Sequence, residues 1–144
     1  MLPLCEDQGV GVIPWSPMAR GRLTRDWNET TPRTQNDAFA LKMYQNAAQQ
    51  DQKVVEVVAQ ISAGRGVPRA HVALAWLLSK SVITAPIIGA TKAEHLSTAV
   101  EALNLALSTE EIAALEAPYV PHVVDGIVPP LPEKAPQLSP LRIK

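Results

Sequence analysis

Cysteine is nearly absent. Cys5 is the only one in the chain, so no internal disulfide can form and a reducing cytoplasm is the expected setting. Nothing near Cys5 would lower its pKa, so a small buried or surface thiol is expected rather than a nucleophile. A charge excess is also missing. The formal net charge is −1 with 19% charged residues, which speaks against a nucleic-acid partner or an acidic membrane surface. No stretch approaches the roughly 20 apolar residues of a transmembrane helix, and the N-terminus lacks a charged-then-apolar leader pattern. No clustered cysteines or histidines suggest a metal centre. What remains is a globular composition, 47% hydrophobic.

The most informative stretch is Gly9 to Leu23. Val10, Val12 and Ile13 are β-branched or apolar and lie between Gly9 and Pro14, which predicts a short central strand. It runs into a loop holding Trp15, Ser16, Arg20, Gly21 and Arg22. An aromatic, a hydroxyl and two guanidiniums at a strand end suit a ligand with a flat ring and a phosphate. A second strand is predicted over Val82 to Ile88, with Pro86 placing it near an end or a bulge.

Helices fill the rest. Met1 to Gln8 reads as a helix end and Phe39 to Gln49 as a short helix. Asp26 to Asp37 is polar and aperiodic, a long loop. In Asp51 to Arg65, Val54, Val55, Val58 and Ile61 recur on one face, and Gly64 and Gly66 supply the stop. Arg69 to Ser79 follows Pro68 and is apolar nearly all round, so it expects cover on several sides and Trp76 is expected in the core. Thr91 and Glu94 form a predicted capping box, with Leu96, Ala99, Val100 and Leu103 as the apolar face of the helix they open. Ser108 and Glu111 repeat the box before a last helix carrying Ile112 and Leu115. The opening at Gly89, Thr91 and Lys92 is a candidate anion site, because a helix N-terminus leaves unpaired N–H groups and partial positive charge. His71 and His122 are expected to be surface or satisfied core histidines. The prolines of Val120 to Lys144 predict an extended or disordered tail.

Several ordered segments resemble the aldo-keto reductases, including relatives like the potassium-channel β-subunits. Trp15-Ser16-Pro17-Met18-Ala19-Arg20-Gly21-Arg22-Leu23 is similar to the family's seventh-strand loop, with Met18 in place of Leu. Val67 to Leu78 is similar to its Gly-Val-Ser-x-x-Gln-Val-Ala-Leu-Ala-Trp segment. Ala85 to Leu96 resembles its eighth strand and helix, and Leu107 to Ile112 fits the place after the last barrel helix. The resemblance implies an α/β fold, a partial TIM (β/α)8 barrel of about the last two βα units plus extra helices. It divides the chain into residues 1–119, the C-terminal part of such a barrel, and 120–144, the Pro-rich extended tail. A complete barrel needs about 250 residues, and this chain has 144; a truncated gene product is the expectation.

By the same resemblance the cofactor is NADP, held by Trp15, Ser16, Pro17, Met18, Arg20, Gly21, Arg33, Gly89, Thr91, Lys92 and His95. Trp15 would stack on the nicotinamide, and Arg33 would lie near the adenosine. Gly89, Thr91 and Lys92 would meet the 2′-phosphate and adenine. Thr98 and Ala99 stand where relatives often carry a Glu and an Asn for the adenine amino group. The family reduces carbonyls with a tyrosine acid, an aspartate and a lysine that lower its pKa, and a histidine that orients the substrate. All four belong to early strands, so no catalytic residue is assigned here; Tyr44 and Tyr119 lack the required setting. The implied partners are NADP(H), a carbonyl substrate once an N-terminal half completes the barrel, and a second copy through open barrel edges. A non-catalytic NADP-binding or regulatory subunit is the alternative. A helix-turn-helix over Val57 to Leu78 is a remote one, its second helix being too apolar for a groove.

Overall fold

The computed structural model describes residues 1–31, 35, 37, 38, 43, 44 and 46–121. The predicted Pro-rich tail from His122 onward and Arg33 lie outside these residues, as do residues 39–42 and 45 of the helix predicted over Phe39 to Gln49.

Three helices build the core. Helix α1 is a short N-terminal piece, Leu2–Asp7. Helix α2 spans Ala48–Arg65 and buries Val55 and Val58, two members of the predicted apolar face; Val54 and Ile61 flank them, half-buried. Gly66 closes α2 from the left-handed region, at φ 64°, a conformation that glycine adopts without a steric penalty. Gly64 lies inside the helix instead. Helix α3, Arg69–Leu78, has Pro68 as its N-cap and buries every residue from His71 to Ala75. Such a covered helix cannot present a face to a DNA groove, which removes the helix-turn-helix reading.

Helix α5, Thr109–Glu116, starts at a complete capping box. The Ser108 hydroxyl accepts from the Glu111 N–H at 3.2 Å and the Glu111 carboxylate accepts from the Ser108 N–H at 2.7 Å. Its Leu115 joins Val58 and Val72 at the centre of the core, with Leu23, Ile61, Val67, Leu105 and Leu107 packed around them. Trp76 also packs against this cluster, from its rim. It is half-buried, its indole N–H donates to Glu116 at 3.0 Å, and Lys80 sits 5.1 Å over its ring. Leu74 and Val72 are the largest fully buried side chains of this helical layer.

The two predicted strands do not form. Among the described residues they are replaced by two isolated parallel bridges, Val12 with Ile83 and Trp15 with Ile87. Around the first, the Val12 N–H donates to Val82 O at 3.0 Å and the Thr84 N–H to Val12 O at 2.9 Å. The next rungs of a parallel ladder would need the N–H groups of residues 14 and 86. Both are prolines, and neither has one. The Ile87 N–H takes the Pro14 carbonyl instead, at 2.8 Å, so the register slips by one residue between the bridges. The partial barrel thus appears only as two extended segments running side by side, with Val10, Ile13 and Ile87 exposed.

Helix α4, Ala93–Glu101, continues into a 3-10 turn at Ala102–Asn104. Its predicted Thr91 capping box is absent. Lys92 is the N-cap, extended at φ −137°, with no side-chain cap bond. Glu94 reaches Lys92 Nζ at 3.2 Å rather than the Thr91 N–H. Of the predicted apolar face, Leu96, Val100 and Leu103 are each more than half exposed, and Ala99 is half-buried. His71 is buried 3.8 Å from the Glu101 carboxylate, and its Nε2 has no hydrogen-bond partner, so it is not the satisfied core histidine expected.

Candidate functional site

The loop after Pro14 is built by unusual backbone. Ser16, Ala19 and Arg20 all have φ between 48° and 55°, and Gly21 has φ 93°. Non-glycine residues in the left-handed region carry strain of about 1–2 kcal/mol each. Local bonds hold them there. The Ser16 hydroxyl accepts from the Arg20 N–H at 3.2 Å, its carbonyl from Ala19 N–H at 2.9 Å, and Met18 O from Gly21 N–H at 2.9 Å. The loop then winds into a 3-10 segment, Ala19–Thr24.

This loop faces a cavity of about 490 Å³, within the range of small-molecule sites. Trp15, Ser16, Pro17, Met18, Arg20 and Gly21 form one wall. Gly89 and His95 contribute from the second extended segment and α4, and Ala70 and Leu74 from α3. Two segments far apart in the chain therefore share one concavity. Thr91 and Lys92 do not line it. Both are exposed ahead of α4, and Lys92 is paired with Glu94. The cavity wall also includes Thr98 and Ala99, the two positions noted against the relatives' Glu and Asn, and two residues the sequence did not point to, Thr24 and Arg25.

The three arginines of the loop have different surroundings. Arg20 is clamped by Asp37, with Nε 2.8 Å and Nη2 2.6 Å from one carboxylate oxygen. Arg22 points away, into a separate cavity of about 340 Å³. There it lies 4.9 Å from the centres of both the Trp27 and Tyr44 rings and 3.7 Å from Asp51. Its Nη1 is shut off from solvent without a hydrogen-bond partner. Arg25 lines the first cavity and donates from Nη2 to the Arg20 carbonyl at 3.2 Å.

Tyr44 is held above the ordinary phenol range by burial, while Arg20 and Arg22 pull in the opposite direction. That net shift opposes the one an activated proton donor needs. Among the described residues no group of three or more His, Cys, Asp or Glu side chains could hold a metal ion. None of their helices is long and apolar enough to cross a membrane.

The architecture resembles a known solved fold. The crystal structure of a thermostable aldo-keto reductase, in complex with the inhibitor epalrestat, superposes with a TM-score of 0.54 at 24% identity. The superposition covers 82% of this chain and 33% of that one, and at such identity it shows the fold alone. Sequence relatives agree. The chain is 36% identical over 126 residues to versiconal hemiacetal acetate reductase of Aspergillus parasiticus, covering 86% of this chain and 36% of that protein. It is 43% identical over 121 residues to an aldo-keto reductase of Alternaria alternata, covering 83% and 32%. The model of the aldo/keto reductase family matches residues 1–119. The chain belongs to the aldo/keto reductase family, an oxidoreductase family that generally uses NAD(P)H and folds as a TIM barrel. It spans about a third of the length of these relatives.

Proposed function

We propose that this chain carries the NADP(H)-binding segments of an aldo-keto reductase-type oxidoreductase that reduces carbonyls. The observation that carries the reading is the shared cavity, walled by the Trp15 loop on one side and by Gly89 and His95 on the other. Its chemistry fits a dinucleotide. Trp15 is 52% exposed, leaving ring surface for stacking, worth about 0.5–1.5 kcal/mol beyond area burial. A Cβ built at Gly89 would meet nothing within 4 Å, so the room beside this backbone is not taken by protein. The start of α4 has no side-chain cap, which leaves the partial positive charge of its first turn for an anion beside His95.

When bound, the cofactor would supply the hydride; the chain's own residues stack, orient and neutralise it. No residue here takes the proton-donor role. That role falls to the remainder of a barrel, for which the exposed Val10, Ile13 and Ile87 on the paired segments offer an unfinished apolar edge. Self-association through the same edge is the competing fate. A purely regulatory NADP-binding subunit would use the same cavity without the added half.

NADPH titration followed by tryptophan fluorescence tests the reading. Saturable quenching is expected in the native chain and is expected to vanish in Trp15→Ala. The chain alone should not turn over an aromatic aldehyde, and co-expression with an N-terminal barrel segment should restore reduction. Quenching that persists in Trp15→Ala, with Trp27 and Trp76 as its source, would contradict it.

A further inference from the structure

The cavity needs a cation for an anionic ligand, and the loop offers three arginines of which two are already committed. Arg20 shares one carboxylate oxygen of Asp37 through two nitrogens. Arg22 is sandwiched between Trp27 and Tyr44, paired with Asp51, and lines the other cavity. Arg25 is different. It lines the large cavity, and its one hydrogen bond is to a neutral backbone carbonyl, Arg20 O. Among the described residues it makes no ion pair, and the adjacent Asp26 pairs with Arg69 instead. The guanidinium carries five donors in a fixed fork, so most of them remain for a ligand.

Gly21 fixes where that fork sits. A Cβ on Gly21 would lie 2.9 Å from Arg25 Nη2 and 3.2 Å from Cζ, so the guanidinium lies directly against the bare backbone of the loop. The carbonyl bond from Nη2 and this close approach together hold the guanidinium in place on the cavity that Trp15 and His95 also line.

We propose that Arg25, rather than Arg20 or Arg22, is the arginine that binds a phosphoryl group in this cavity, with Arg20 acting only to hold the loop. The assignment rests on the dinucleotide reading above and names the phosphate ligand within it. A charge-assisted, two-donor contact of this kind makes Arg25→Met weaken binding by about tenfold to a hundredfold. Arg25→Lys keeps the charge without the fork and should recover part of the loss. Arg20→Met should lower the melting temperature, because its two-nitrogen contact with Asp37 is lost, while changing affinity less than Arg25→Met does.

Isothermal titration of the full chain with NADPH, NADH and inorganic pyrophosphate, with a thermal melt of each variant, tests this. Weaker binding of NADPH and NADH alike in a folded Arg25→Met places the contact on the bridging diphosphate. Weaker binding of NADPH alone places it on the 2′-phosphate. Either supports the assignment, whereas a folded Arg25→Met with native NADPH affinity overturns it. If the native chain binds neither dinucleotide, the pyrophosphate arm separates the two ideas. Pyrophosphate binding that Arg25→Met abolishes keeps the arginine assignment and removes the dinucleotide reading, and pyrophosphate binding unchanged or absent in both chains removes both.

Discussion

The helical layer of α2, α3 and α5 and the extended pair with α4 both carry apolar faces, yet they end in opposite conditions. In the first, Val72 and Leu74 are 0% and 2% exposed and Leu115 closes the packing. In the second, Ile13, Val100 and Leu103 are 60%, 55% and 67% exposed. Apolar patterning alone does not decide burial; a facing partner does. The helices find theirs among themselves, whereas the extended pair and the outer face of α4 have none among the described residues. The candidate cavity lies along the boundary between the two, with its floor on α3 and its walls on the less finished side.

The sharpest way to break this contrast is a matched pair of core and surface truncations. Leu74→Ala should destabilise the chain by about 2–5 kcal/mol, as for other fully buried leucines. Ile13→Ser should stay within about 0.5 kcal/mol. Urea denaturation measures both; equal effects would mean that the extended pair is packed after all. Next in size, Gly21→Ala forces a side chain into φ 93° and against Arg25, costing about 1–2 kcal/mol. Removing the α5 cap with Ser108→Ala should cost about 1 kcal/mol, read from the same denaturation curves.

The smallest effect is electrostatic. Arg65 donates two hydrogen bonds to Glu111, at 2.7 and 2.6 Å, and together with the Ser108 N–H it lowers the Glu111 carboxyl from its ordinary 4.5 to about 2. A carboxyl depressed in the folded state stabilises it fully above the ordinary value. That contribution fades as pH falls from 4.5 toward 2. Melting temperature should decline over this window in the native chain and decline less in Glu111→Gln. Added salt should shrink the difference, because the pair faces solvent.

Legibility followed the range of the interactions. Helix α2, α3 and the Ser108 box were readable because periodicity and capping are local, decided within a turn or two of chain. The Thr91 box had the same letters and failed, because Lys92 adopts an extended backbone and draws Glu94 to its own ammonium. The strands failed for a reason visible only once their register is known. Pro14 and Pro86 fall on the same missing rungs, although the sequence alone marked only Pro86 as awkward. The cavity's two walls were foreseeable from the Trp15 and Gly89 segments. Arg25 was not, since nothing in its neighbours shows that Asp37 claims Arg20 and that Trp27 and Tyr44 enclose Arg22.

The proposed nucleotide site requires the Trp15 loop and the Gly89–His95 segment to act as its two sides. Amide chemical shifts of the isotopically labelled chain, recorded during NADPH titration, test this most directly. Saturable shifts clustered at residues 15–25 and 87–99 are predicted, with Val54, Val55 and Tyr119 on the far side of the second cavity unmoved. Shifts confined to one of the two segments, or centred on the second cavity, would contradict it.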